Sequence, residues 1–164
     1  MPEPERLRDG RILPHRVRQS VLFAHIMISV GLLGDSAGFL AVSIRAAGTS
    51  DPAAALELVG VLNMFSGVFG IPLSFGALLT GLTLGLGSKW GVFRYPWVTA
   101  KLLLIVSVMM VGGLVIGPAL GDMPHHRSDA TARLIAAASY DVLALALATA
   151  LSVFKPGGRF RRAH

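Results

Sequence analysis

The chain contains no cysteine, which excludes a disulfide framework, a zinc–thiolate centre and a thiol nucleophile. Charge is scarce as well. Only 15% of the 164 residues are Asp, Glu, Lys or Arg, against about 25% in an ordinary soluble domain. Between Gln19 and Phe154 only Asp35, Glu57, Lys101 and Asp141 place an acid or base clearly inside apolar sequence. A glycine-rich phosphate loop, a Ser/His/Asp arrangement and carboxylates paired in an aqueous cleft are all missing. An enzyme is therefore not expected.

Long apolar runs fill the space that charge vacates. Hydrophobic residues make up 53% of the chain and mean hydropathy is +0.64. Four stretches, about 19–44, 56–86, 97–117 and 131–154, each reach the roughly 20 apolar residues a helix needs to cross a bilayer. The predicted fold is all-α: a polytopic membrane protein, a bundle of four transmembrane helices. A basic segment (1–18) precedes the transmembrane domain (19–154), and a basic tail (155–164) follows it. The first apolar run is too long for a typical signal-peptide core and three more follow, so an uncleaved signal anchor is expected.

Basic residues near span ends set orientation. Arg6, Arg8, Arg11, Arg16 and Arg18 precede the first span. Lys89, Arg94 and Lys101 surround the link between the second and third, and Lys155, Arg159, Arg161 and Arg162 follow the fourth. Twelve of the fifteen basic residues thus fall on one side, leaving Arg45, Arg127 and Arg133 on the other. Four spans also put both termini on one face, so the expected location is a bacterial cytoplasmic (inner) membrane with both termini cytoplasmic. The net charge of +6 is accounted for by attraction to anionic lipid headgroups. No aromatic-interleaved basic motif accompanies it, so nucleic acid is not an expected partner.

Proline and glycine punctuate the spans. Pro52 suits the first turn of the second helix, where its missing N–H is no loss, and the turns around Glu57 project beyond the bilayer. Gly70 and Pro72 mark a helix break, because Pro72 cannot donate to the Val68 carbonyl and its ring crowds that oxygen. The third helix is expected to end at Gly117-Pro118, and the fourth to be capped by Ser128 or Asp129. Trp90, Tyr95 and Trp97 have the amphipathic rings that favour a headgroup region, and Lys101 can snorkel toward it.

Residues 79–105, Leu-Thr-Gly-Leu-Thr-Leu-Gly-Leu-Gly-Ser-Lys-Trp-Gly-Val-Phe-Arg-Tyr-Pro-Trp-Val-Thr-Ala-Lys-Leu-Leu-Leu-Ile, carry a resemblance. A Gly-rich second span running through a Lys-Trp-Gly-aromatic loop into a Lys-bearing third span resembles small integral membrane proteins of high-GC bacteria. These are similar in plan to the transmembrane part of copper-resistance D proteins. The resemblance implies an inner-membrane location and a link to metal handling, and it brings no catalytic residues.

Three groups of residues could carry chemistry. Asp35 and Asp141 come first, because an ionised side chain at mid-membrane costs at least ~2.5–3.5 kcal/mol and so faces protein or water. Counting from Arg45 and Arg133 at 1.5 Å per residue puts them at similar depth, roughly 12–15 Å inside. They could form a proton or cation site between the first and fourth helices, opposite the Pro72 break. The plainer reading makes each a protonated or hydrogen-bonded carboxyl joining helices, with Tyr140 or Ser36 as a candidate partner. His25 is the intramembrane histidine and shares a face with Ser29 and Ser36. As a haem ligand it would need a second histidine from another copy; the plainer reading is a neutral imidazole bonded across helices. Met123, His125 and His126 sit in a loop whose thioether and imidazoles suit copper, or which is simply solvated.

Three functions follow from these residues. The first is an accessory or structural membrane subunit, or a homo-oligomer or part of a larger complex, joined through Gly/Ala/Ser faces. The second is a small transporter or channel component using Asp35 and Asp141. The third is a copper- or haem-handling protein. No dedicated cofactor is expected under the first two.

Overall fold

The computed structural model describes residues 14–87, 96–123 and 127–154. Every element among them is helical. They form four helices long and apolar enough to cross a membrane: α1 His15–Ala47, α2 Pro52–Leu86, α3 Pro96–Asp122 and α4 Arg127–Phe154. The 35 residues of α2 correspond to about 52 Å of helix, well beyond a hydrocarbon core of about 30 Å. The basic segment before Pro14, the tail from Lys155, Trp90 and Tyr95 in the 88–95 link, and His125 and His126 lie outside the described residues.

The helices alternate in direction and form a ring in chain order. α1 packs on α2 and α4, and α3 packs on α4 and α2. At one end, the turn end, lie Ala47, Pro52, Asp122 and Arg127; at the other, the termini end, lie His15, Leu86, Pro96 and Phe154. Local chemistry closes the turn between α1 and α2. Asp51 caps α2 by accepting the Ala53 N–H at 3.0 Å, with Pro52 in the first turn. Arg127 reaches back to the end of α1 and the turn that follows it. Its guanidinium donates to Ala46 O at 2.9 Å and to Thr49 O. Among the described residues α4 is already helical at Arg127, so Ser128 and Asp129 lie within its first turn and not at a cap.

Two prolines inside helices reshape the backbone without ending it. In α2, residues Phe65–Gly70 form a π turn immediately before Ile71-Pro72, and the Ile71 N–H bonds Ser66 O, five residues back. In α3 the same device recurs. Gly112–Ile116 are π, the Gly117 N–H bonds Gly112 O, and the helix continues through Pro118 to Asp122. The expected stop at Gly117-Pro118 is therefore a π turn instead. A proline has no N–H and its ring clashes with the carbonyl four residues back. Widening the preceding turn relieves the clash and keeps the chain helical.

Close packing differs between interfaces. Against α2, Gly38 of α1 admits the Phe65 ring, whose Cε1 would lie 2.7 Å from a Cβ placed there. Gly31 and Gly38, which share a face with Asp35, thus receive α2, not α4. The α1–α4 interface is lined by alanine, with Ala130, Ala137, Ala138 and Ala144 all buried on α4. Two buried apolar clusters result. One occupies the turn-end half around Phe39, Leu62, Ile116, Leu120 and Leu134. The other lies toward the termini end around Leu32, Ala77, Val108 and Leu145.

Candidate functional site: a carboxylate-lined cavity

Between the two apolar clusters lies a cavity of about 400 Å³. All four helices line it. Asp35, Ser36 and Phe39 come from α1, Ser66, Gly70 and Ser74 from α2, Gly112, Gly113 and Ile116 from α3, and Ala138 and Asp141 from α4. Phe39, Ile116 and Ala138 also belong to the turn-end cluster, and Leu32 and Val108, likewise lining, to the other. Apolar side chains therefore close the space toward both ends of the bundle.

Both aspartates face this cavity. Asp141 is buried, at 6% exposure, and its Oδ1 finds no hydrogen-bond partner among the described residues. Asp35 Oδ1 is likewise buried and unpartnered. Its Oδ2 lies against the α2 π turn, where a Cβ on Gly70 would meet it at 3.3 Å. Unpartnered buried acceptors are uncommon, because each retains its desolvation cost. Neither of the two partners considered for the aspartates serves here. The Tyr140 hydroxyl instead shares a 2.6 Å hydrogen bond with Ser107 across α3 and α4, and no Ser36 bond to a carboxylate is made.

The π turns add backbone acceptors. With the Ile71 N–H committed to Ser66 O and Pro72 lacking one, Gly67 C=O has no donor four or five residues on. By the same count, Gly117 and Pro118 leave Gly113 C=O without a helical donor, and Gly113 lines the cavity. π turns are frequent where helices carry function, since they expose such groups. No basic side chain is among the lining residues, so the site offers acceptors and hydroxyls beside an apolar wall.

The other candidates lie elsewhere. The His25 Nδ1 is 2.8 Å from Thr80 Oγ1, while that hydroxyl donates to Gly76 O at 2.6 Å. Thr80 can then only accept from the imidazole, so Nδ1 carries the hydrogen. The ring is bonded across α1 and α2 by a threonine on the facing helix, not by Ser29 or Ser36. Met123 is 3% exposed and packed within the turn-end cluster, which commits its thioether to the core. No group of three or more His, Asp or Glu with metal-binding spacing exists among the described residues. At the termini end, Lys101 lies over the Trp97 ring at 4.8 Å and donates to Ser152 Oγ at 3.2 Å, tying α3 to α4. At the turn end an ion pair joins Arg133 to Asp122.

No family model, curated protein or solved structure matches the chain.

Proposed function

We propose that this protein is a small multi-pass carrier or channel component of a bacterial cytoplasmic membrane, with both termini inside, in which Asp35 and Asp141 form a proton or cation site. One observation carries the reading: two unpartnered carboxylate oxygens line a cavity among four helices, two of which carry π turns. No described side chain hydrogen-bonds either Oδ1, which leaves both oxygens available to a bound proton or cation. Broken helices that present backbone acceptors beside a charged site are a recurrent way of binding cations at membrane depth.

The accessory-subunit reading draws less support. Several small residues that would suit an interface between chains are used within this one. Gly31, Gly38, Gly76 and Gly81 each receive a side chain of the neighbouring helix of the same chain.

The test is protein-dependent flux of protons or alkali cations into proteoliposomes. Flux above protein-free vesicles, lowered at least tenfold by Asp35→Asn with Asp141→Asn, supports the proposal. Equal flux from wild type and the folded double variant sinks it.

A further inference from the structure

We infer that the cavity takes a lipophilic ammonium compound, an apolar body bearing a protonated amine, which enters sideways from the bilayer between α2 and α3. This rests on the cation-site reading above and names its substrate class.

The walls decide the route. On the α1–α4 side the lining is sealed: Leu32, Phe39, Ala138 and Asp141 are each at most 6% exposed. On the opposite side Ile71 and Phe75 of α2 line the cavity and are still 56% and 53% exposed. Gly113 and Gly117 of α3 also combine lining with surface exposure. The seam between these helices closes at both ends, where residues 71–86 pack on 96–111 and residues 52–64 on 117–122. The two π turns, with side-chain-free Gly112 and Gly113, lie between those closures, and added Cβ atoms there would meet nothing within 4 Å. Because the apolar clusters block both ends of the bundle, the mouth faces the side that lipid would cover.

The chemistry decides the occupant. The deep wall presents Asp35 Oδ1 and the 94%-buried Asp141 with its unpartnered Oδ1, and Gly113, whose carbonyl lacks a helical donor, lines the mouth. All are acceptors, and the remaining lining is mainly aliphatic and aromatic. An anion finds no donor of opposite charge there. A hydrated inorganic cation would have to shed water along an apolar mouth. A protonated amine supplies charge and N–H donors at one end, and its hydrocarbon matches the seam at the other. A volume of about 400 Å³ falls within the range of small-molecule sites.

The test uses the full chain in nanodiscs with 4-phenylbutylamine as probe and 4-phenylbutanol as its uncharged counterpart, binding being followed by calorimetry against empty nanodiscs. The amine is expected to bind saturably and at least tenfold more tightly than the alcohol. Asp141→Asn should weaken it tenfold or more. Gly113→Leu, a position with open space around it, should weaken it by filling the mouth while the helical circular-dichroism spectrum is retained. A single-cysteine variant, Ser74→Cys, offers a second readout: a lipophilic maleimide should label it, a charged membrane-impermeant thiol reagent should not, and prior amine should slow the labelling. Equal affinity for amine and alcohol, or amine binding unchanged in Asp141→Asn, overturns the inference. Labelling by the impermeant reagent overturns the lateral route. If alkali-cation flux depends on the aspartates while the amine does not bind, the inference falls and the cation-site reading stands; if neither depends on them, both fall.

Discussion

The π turns of α2 and α3 are the same backbone device in opposite surroundings. Each ends two residues before a proline, and each leaves a glycine carbonyl without its helical donor. The α2 turn is crowded where it meets α1, with Phe65 seated over Gly38 and Asp35 Oδ2 beside Gly70, and only Gly67 within it is open. The α3 turn is open, with nothing within 4 Å of a Cβ added at Gly112 or Gly113. Proline therefore accounts for the turn itself, and the neighbouring helix decides its use. One turn lies beside a carboxylate; the other has open space around its glycines.

That contrast can be broken by substitution. The largest effect is expected on the crowded side. Gly38→Leu must displace the Phe65 ring and should destabilise the bundle by about 1–3 kcal/mol, the usual range for overpacking. Thermal unfolding in detergent measures it, and an unchanged midpoint would mean that α1 and α2 do not meet there. A smaller loss is expected further along the same interface, toward the termini end. Thr80→Val keeps the side-chain shape but removes the acceptor for His25 Nδ1–H, at a cost of about 1 kcal/mol. A nuclear magnetic resonance signal of the His25 ring that does not respond to the change would contradict the tautomer derived above. The smallest effect belongs to the open side. Gly113→Ala has space for its methyl group and should be neutral, or stabilising by up to about 1 kcal/mol, since alanine favours a helix over glycine. A loss as large as that of Gly38→Leu would erase the difference between the two turns.

Much of this architecture is legible in the sequence, and for a definite reason. Four helices long and apolar enough to cross a membrane, with Asp35 and Asp141 inside two of them, follow from length and charge alone, because each run reaches the length a bilayer span needs. Pro72 signals an irregular turn by itself. Gly117-Pro118 misleads, because in water that pair usually stops a helix. Here α3 continues past it to Asp122 by widening one turn. Pairings between helices are hidden in a different way. Thr80 becomes the partner of His25, and Ser107 that of Tyr140, only once the ring order and register bring positions 55 and 33 residues apart into contact. Gly31 and Gly38 identify a close-packed face but not which helix fills it. The cavity is the least legible feature of all. It is a space left over by four side-chain surfaces, and no single segment encodes it.

The account turns on Asp35 and Asp141 standing unpartnered in a space that opens toward lipid. Carbodiimides that modify carboxyl groups examine this directly, read by peptide mass spectrometry on the reconstituted protein. Hydrophobic dicyclohexylcarbodiimide should modify Asp35 or Asp141 and be blocked by 4-phenylbutylamine. A water-soluble carbodiimide should spare both and modify exposed Asp129 at the turn end. Modification of Asp129 alone by both reagents, with the two cavity aspartates untouched in folded protein, would contradict it.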